Sequence, residues 1–225
     1  METRSIAIDG PSGAGKSTLA KMIARELGFI YVDTGALYRA IGLFAVRGGA
    51  EPTDAGAVAA LLPRIKLELR YDETGTQRVI LNGADVSDEI RAPRISTAAS
   101  DVSAHPPVRD FLLETQREMS RESDVVMDGR DIGTVVLPGA GLKIFLTAAP
   151  EIRAERRRLE LLEKGIDAPF EDVLRDIVNR DRNDSTRDAA PLREADGAVR
   201  LDTSDLTLTE SFARLRAIAR ERLGV

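Results

Sequence analysis

The stretch that decides the fold is Gly10-Pro11-Ser12-Gly13-Ala14-Gly15-Lys16-Ser17. It follows the apolar run Ile6-Ala7-Ile8 and leads into a helical pattern that begins near Lys16. Strand, glycine-rich turn and helix with the spacing G-x-x-x-x-G-K-[ST] predict a P-loop, whose glycines let successive backbone N–H groups point into one concavity. We expect residues 10 to 17 and Thr18 to hold a nucleoside triphosphate, with Lys16 at its β- and γ-phosphates and the Ser17 hydroxyl on Mg²⁺.

Apolar runs alternate with helical patterns along much of the chain, and the runs after the first lie at 29–32, 125–128, 142–146 and 198–201. Parallel strands need long crossovers, so this alternation predicts an α/β fold with a five-stranded parallel sheet and helices on both faces. Ligands of such sheets bind at the carboxyl ends of the strands. Those ends carry polar, acidic or glycine residues: Asp9-Gly10, Asp33-Thr34-Gly35, Asp128-Gly129-Arg130-Asp131 and Thr147-Ala148.

The alternation is interrupted between residues 63 and 120. Residues 65–71 alternate apolar and charged side chains, and a second short run at 79–81 precedes the hairpin signal Asn82-Gly83, which together predict a small antiparallel meander. Helical patterns follow at 94–104 and 108–120. We therefore expect one domain, with a core at 1–62, 121–149 and 188–225, an inserted α+β segment at about 63–120 and a helical lid at about 150–187.

Helix starts are predicted from capping residues. Thr53 is expected to cap a short helix that reaches Leu62, and Thr209 a carboxyl-terminal helix. Two charged helices, from Pro150 to Lys164 and from Phe170 to Arg182, flank a short turn and make up the expected lid.

The amino-acid composition limits the classes of protein to which this chain can belong. The chain has 225 residues, 43% of them hydrophobic, no cysteine and no apolar run of membrane-spanning length. Met1 to Arg4 leads directly into a strand without a signal-peptide pattern, so we expect a soluble, cytoplasmic protein with no membrane partner. Separately, we expect a monomer. The net charge of −5 argues against nucleic-acid binding. Lysine supplies five of the 32 basic side chains, and the rest are arginines, whose planar fork matches phosphate.

Other nucleotide-binding classes fit the chain less well. A GTPase would need a guanine-reading Asn-Lys-x-Asp segment, which the sequence lacks. A motor or transporter ATPase is disfavoured because the strand at 125–128 ends in a single aspartate. Transfer to a second phosphate needs positive charge and a cover against water. Arginines in motif positions supply the charge, although Arg156 and Arg158 fit an ordinary solvated helix face equally well. His105 is expected to be a helix-end residue.

Several segments together carry a resemblance to a known family. Asp33-Thr34-Gly35-Ala36-Leu37-Tyr38-Arg39, Asp128-Gly129-Arg130-Asp131-Ile132-Gly133-Thr134, the 180–184 cluster and Ala190-Pro191-Leu192, taken with the loop, resemble the bacterial cytidylate kinases. The resemblance runs essentially end to end and implies ATP-dependent phosphorylation of CMP or dCMP to CDP or dCDP. The inserted segment is similar to that family's enlarged monophosphate-binding domain. Thr34 stands where the family often has serine, and the hydroxyl is kept.

The resemblance also implies roles for individual residues. Arg39 and Arg130 would clamp the acceptor phosphate, and Ser100, Arg109 and Asp131 would read cytosine. Its implied CMP site also includes Thr34, Arg180, Asp184 and Arg187; Arg157 would bind ATP; and Lys16, Arg130, Arg180 and Arg187 would be catalytic. Cytosine offers acceptors at O2 and N3 and a donor amino group, which an arginine and an acidic or hydroxyl acceptor match and which uracil does not.

Magnesium would bind Ser17 directly, with Asp33 or Asp128 as partners through water. Two alternatives stay open from the sequence. One is a kinase for another small acceptor, such as a different pyrimidine monophosphate or a shikimate-like metabolite. The other is a regulatory P-loop protein that hydrolyses ATP slowly without an acceptor.

Overall fold

The computed structural model describes residues 3–224. Met1 and Glu2, part of the amino-terminal stretch considered above, and Val225 lie outside that range. The strands are β1 (Ser5–Asp9), β2 (Ile30–Asp33), β3 (Leu67–Tyr71), β4 (Gln77–Leu81), β5 (Ala84–Asp85), β6 (Val125–Gly129), β7 (Leu142–Thr147) and β8 (Val199–Asp202). The helices are α1 (Lys16–Leu27), α2 (Thr34–Arg47), α3 (Ala55–Leu61), α4 (Pro93–Val102), α5 (Pro106–Glu122), α6 (Pro150–Glu163), α7 (Phe170–Thr186) and α8 (Leu208–Leu223).

The central sheet is parallel and has the strand order β2-β6-β1-β7-β8. Because side chains alternate along β1, Ile6 and Ile8 pack against α1 and α8, whereas Ala7 packs against the opposite layer with Met127. Both faces of the sheet are covered, which confirms the predicted fold class.

Register brings the polar ends of the strands together at one edge. Asp9 lies opposite Gly129 in the neighbouring strand, and Asp33 lies opposite Asp128. The carboxyl ends of β1, β2 and β6 therefore meet where the P-loop leaves the sheet. This edge positions the site described below.

The region at 63–120, which interrupts the alternation of strands and helices, contains a second sheet with the strand order β3-β4-β5. This sheet is antiparallel, as its alternating pattern predicts. It packs with α2, α4 and α5 around its own apolar cluster, which includes Leu37, Ile41, Ile95 and Leu112. Helix α2 meets α4 closely at Gly42, where an added Cβ would lie 3.1 Å from the backbone of Ala98. The division of the chain into core, insert and lid stays a prediction.

Two helix caps differ from the sequence prediction. The predicted cap Thr53 is wrong, because the Asp54 carboxylate accepts the Ala57 N–H and so caps α3. Thr209 lies inside α8, which is instead capped by Thr207 in a reciprocal capping box with Glu210. In both cases the side chain of the capping residue accepts the backbone N–H of the residue three positions later in the sequence. Helix α7 also runs past Arg182 to Thr186.

Helices α6 and α7 pack against each other through a small apolar cluster of Ala154, Val173 and Ile177. The buried Arg153 ties them to the P-loop, because its guanidinium donates to the Ser12 carbonyl at 3.0 Å and to the Asp181 carboxylate at 2.6 Å. Among residues 3–224, no helix has both the length and the apolar character needed to cross a membrane.

Candidate active site

Two of the cavities within residues 3–224 are considered as sites for a small molecule. The larger, about 600 Å³, lies between α1 and the β3–β4 hairpin and is lined by residues such as Phe29, Tyr71 and Val79. The smaller, about 320 Å³, lies at the carboxyl edge of the parallel sheet and is lined by Lys16, Arg109, Arg130 and other charged side chains. We assign the candidate site to the smaller cavity because phosphate-binding groups converge there.

The P-loop is shaped by glycine at its start. Gly10 has a φ of +149°, and an added Cβ would lie 1.9 Å from the Leu146 carbonyl oxygen, so no larger residue fits between the loop and β7. The Lys16 ammonium is buried and donates to the Pro11 carbonyl at 2.7 Å. Burial and the neighbouring Arg130 charge lower the pKa of Lys16 to about 7. An anionic ligand beside this amine would favour its charged form.

Ser17, Asp128 and Tyr31 form a connected hydrogen-bond chain. Ser17 Oγ donates to Asp128 Oδ2 at 2.7 Å, and the Tyr31 hydroxyl donates to Asp128 Oδ1 at 2.9 Å. Burial and the nearby Asp33 charge raise the pKa of the Asp128 carboxyl. The backbone of the same residue is fixed by Thr34, whose hydroxyl donates to the Asp128 carbonyl at 2.7 Å.

Arg39 lies on the first turns of α2 and faces the end of β2. Its guanidinium donates to Asp33 Oδ2 at 2.6 Å, while its Nε is buried without a hydrogen-bond partner. Asp33 also caps α2 by accepting from the Ala36 N–H at 3.0 Å. One unused donor of a charged guanidinium thus remains in the cavity wall.

Arg130, Arg180 and Arg187 surround Asp184. Arg130 Nε donates to Asp184 Oδ2 at 2.7 Å, and Arg187 Nη1 lies 3.8 Å from Asp184 Oδ1. Burial alone would raise the pKa of Asp184, but these arginines hold it below its ordinary value. Burial and Arg130 lower the pKa of Arg180 to about 10, and its buried Nε has no partner. Positive charge therefore exceeds negative charge in this cluster.

Arg109 and Asp131 line the cavity and form a buried ion pair. Arg109 also donates through Nη1 to the Ser103 carbonyl at 3.0 Å, and its guanidinium carbon lies 5.5 Å from the centre of the Tyr38 ring. Arg187 approaches the other Asp131 oxygen at 3.8 Å. A paired donor fork and carboxylate held this way present both hydrogen-bond donors and acceptors to a planar ligand.

The cytidylate kinase family model matches residues 6–221 of this sequence. The chain belongs to the cytidylate kinase family. It is 47% identical over 225 residues to the cytidylate kinase of Geobacillus thermodenitrificans, covering 100% of both chains. It is also 47% identical over 215 residues to that of Caldicellulosiruptor bescii, covering 96% of this chain and 95% of the relative. The cytidylate kinase of Pelotomaculum thermopropionicum is 50% identical over 202 residues, covering 90% of this chain and 89% of the relative.

Family membership makes the chain a phosphotransferase and confirms the resemblance seen in the sequence. The structure brings most predicted site residues to one cavity, whose lining includes Ser12, Gly13, Gly15, Lys16, Ser17, Thr18, Thr34, Arg39, Ser100, Arg109, Arg130, Asp131, Arg157, Arg180, Asp184 and Arg187. Gly10, Pro11 and Ala14 do not line it. They belong to the loop itself, in which Ala14 is buried in the core and the Pro11 carbonyl accepts a hydrogen bond from Lys16.

Some lining residues were not predicted from the sequence. Tyr38, Ser96 and Ser103 join Ser100 along the cavity wall. Ser96, Ser100 and Ser103 are spaced four and three residues apart, which places them on one side of α4 and its carboxyl end, and this spacing is the signal that could have revealed them. Tyr38 lies inside the quoted 33–39 motif.

Three side chains outside the predicted site have other roles. Arg156 donates to the Thr203 carbonyl at 2.7 Å, and Arg158 pairs with Glu155, so both stabilise the surface of α6 rather than line the cavity. His105 precedes α5, and one ring nitrogen lies 2.8 Å from the Pro52 carbonyl. It is a helix-end residue, as expected.

Proposed function

We propose that this phosphotransferase transfers the γ-phosphoryl group of ATP to CMP or dCMP, with Mg²⁺ bound at the P-loop. Family membership supports the reaction. The observation that carries the proposal is that the buried Arg109–Asp131 pair shares one cavity with the phosphate-binding loop. A triphosphate and a pyrimidine monophosphate can therefore meet end to end.

The donor side is built from backbone and one amine. The loop N–H groups and the amino end of α1 favour the ATP phosphates, and Lys16 exchanges its bond with the Pro11 carbonyl for phosphate oxygens. Thr18 and Arg157 also line the cavity, and we assign them to ATP. We assign Lys16 to stabilising the charge that develops on the transferred group.

The acceptor phosphate is assigned to Arg39 and Arg130. Each already holds a carboxylate, at 2.6 Å from Asp33 and 2.7 Å from Asp184, so the phosphate competes with these internal partners. Arg180 and Arg187 sit on or directly after α7, and they bring further positive charge to the same point as the lid covers it. In this arrangement Asp184 is free to accept a ribose hydroxyl.

Cytosine is assigned to Arg109, Asp131 and Ser100. The Arg109 fork donates to O2 and N3, and Asp131 or the Ser100 hydroxyl accepts from the amino group. Uracil would present N–H to the arginine and a carbonyl to the carboxylate. Its rejection then follows from leaving buried polar groups unpaired.

Magnesium fits the chemistry of the donor side. Ser17 Oγ and the Asp128 carboxylate are hard oxygen donors within 2.7 Å of each other, and Mg²⁺ typically combines one or two such groups with substrate phosphates and water. Among residues 3–224 there is no group of three or more His, Cys, Asp or Glu side chains suited to hold a metal alone. When bound, the ion neutralises charge on the ATP phosphates; Ser17 and Asp128 would hold it.

The transfer itself needs no covalent enzyme intermediate. A bond forms between an acceptor phosphate oxygen and the γ-phosphorus, and the bond from that phosphorus to the bridging oxygen of ADP breaks. Lys16 and the arginines orient the two phosphates and exclude water. The predicted monomeric state, cytoplasmic location, lack of nucleic-acid partners and three-part division of the chain stay predictions.

An acceptor panel tests the proposal. Purified enzyme with Mg²⁺ and ATP should produce ADP rapidly with CMP or dCMP, far more slowly with UMP, AMP or GMP, and negligibly without an acceptor. Equal turnover of UMP would remove the cytosine assignment. Slow ATP hydrolysis that ignores every monophosphate would instead favour a regulatory P-loop protein.

A further inference from the structure

Asp9 is a buried acidic residue to which none of the assigned roles applies. It ends β1, directly before the P-loop, and is only 3% exposed. Its two oxygens each accept one backbone N–H: Oδ1 from Ile132 and Oδ2 from Gly133, both at 2.7 Å. The carboxylate thus joins the strand before the donor loop to a segment that lies 123 residues further along the chain.

The segment that Asp9 holds is the turn that carries the acceptor-side residues. Arg130 and Asp131 immediately precede a single π-helical turn, Ile132–Val136. The approach is close: a Cβ added to Gly133 would lie 3.3 Å from Asp9 Oδ2 and 3.2 Å from the Ala195 Cβ. Two hydrogen bonds to consecutive amides therefore fix the position and direction of the backbone that presents Arg130 and Asp131.

An ionised carboxylate is an expensive group to bury here. Desolvation raises the pKa of Asp9 to about 6, although its two backbone hydrogen bonds favour the charged form. The charged groups that face it are Asp131, which raises the pKa further, Lys16, which lowers it, and Arg130. Lys143 packs its methylene chain near Gly133, and its ammonium donates a hydrogen bond to the Asp196 carbonyl at 3.3 Å.

An asparagine would be easier to bury but has a single acceptor oxygen, so it cannot receive both amides on separate oxygens. We propose that Asp9 is a positioning residue for the acceptor side, which fixes the turn that aims Arg130 at the acceptor phosphate and Asp131 at the base. This inference rests on the proposed function, because it assigns what the turn is held in place to bind.

The test is the variant Asp9→Asn, with KM measured separately for CMP and for ATP. We expect KM for CMP to rise about tenfold or more, since one charge-assisted hydrogen bond is lost, and KM for ATP to stay within about twofold. Asp54→Asn is the matched control, because Asp54 also accepts a backbone N–H but at the exposed start of α3. Equal losses for both nucleotides, or unchanged CMP kinetics, would overturn the inference.

A measurement on the unmodified enzyme keeps the test decisive if Asp9→Asn does not fold. The amide proton shifts of Ile132 and Gly133 should titrate together near pH 6. As the pH is lowered through this range and Asp9 becomes protonated, the affinity for cytidine, which has no titrating phosphate, should fall. Constant cytidine affinity while the amides titrate would contradict the positioning role. If the unmodified enzyme fails to phosphorylate CMP, the proposed function falls instead.

Discussion

The two sides of the cavity are built in different ways. The donor side is one contiguous loop whose shape is determined mainly by backbone conformation. Gly10 packs closely against the Leu146 backbone, and Lys16 donates to the Pro11 carbonyl. The acceptor side is assembled from α2, α4, α5, α7 and the turn after β6. Most of its arginines are already paired with carboxylates, such as Arg39 with Asp33 and Arg109 with Asp131.

This difference implies a division of labour. A cradle of backbone N–H groups binds phosphate whatever base is attached, because it contacts only the phosphate chain. Paired arginines and aspartates can distinguish bases, because each ligand must replace or complement an existing hydrogen bond. Donor-side changes should therefore affect the transfer step, and acceptor-side changes should affect which monophosphate is used.

The largest expected effect is at the donor side. Lys16→Ala removes the only loop amine, and kcat should fall by about 10³-fold while the fold is kept. Steady-state kinetics with saturating ATP and CMP measure this. Lys21→Ala is the control, because Lys21 lies exposed on the same helix and should leave kcat near the original value. A Lys16 variant that retains most of its activity would contradict the role assigned to the loop.

Arg109→Ala should mainly change the choice of base. We expect kcat/KM for CMP to fall by about 10²-fold and the preference for CMP over UMP to shrink, because the paired donor fork is lost. The preference is a ratio, so it does not depend on how much enzyme is folded. Arg121→Ala, on the exposed side of α5, should change neither value. An unchanged preference after loss of Arg109 would reject the proposed base site.

Arg39→Ala should weaken only the binding of the acceptor phosphate. KM for CMP should rise by roughly 10-fold, since one charged donor group is removed, while KM for ATP stays unchanged. Initial rates at varied CMP and fixed ATP measure the effect. Arg47→Ala serves as the control on the same helix, where Arg47 pairs with the exposed Glu89. A matching rise in KM for ATP would mean that the two sides are not separable.

The smallest effect concerns stability. Because the pKa of Asp9 is raised to about 6 from 3.8, the folded chain binds more protons than the unfolded chain between those values, and this group's contribution to stability falls as pH rises. From pH 5 to 7 the free energy of unfolding should fall by about 1 kcal/mol relative to Asp9→Asn. Urea unfolding at both pH values measures it, and a relative rise would reverse the sign expected for a buried acid.

The donor side could be predicted from the sequence because its determinants are local. Eight consecutive residues that run from the end of a strand into the first turn of a helix specify both conformation and ligand, and the alternation of apolar runs specifies the parallel sheet. The caps at Thr53 and Thr209 were wrong because several neighbouring residues can cap, and only the helix start that packing selects decides between Thr53 and Asp54.

The individual roles of the acceptor-side residues could be assigned only through family resemblance. Arg109 and Asp131 are 22 residues apart, and Arg130 and Asp184 are 54 apart, so no local spacing shows that they pair. The link from Asp9 to Ile132 spans 123 residues and depends on β1 and β6 being neighbours in the sheet. Such pairings follow from topology, which the motif alone does not contain.

A crystal structure of the enzyme with CMP and a non-hydrolysable ATP analogue tests the assignment of donor and acceptor sides most directly. We predict that the CMP phosphate lies between Arg39 and Arg130 and that the cytosine edge contacts Arg109 and Asp131, with the analogue's phosphates on the loop. Cytosine bound away from the Arg109–Asp131 pair, for example in the larger cavity beside Tyr71, would contradict the account.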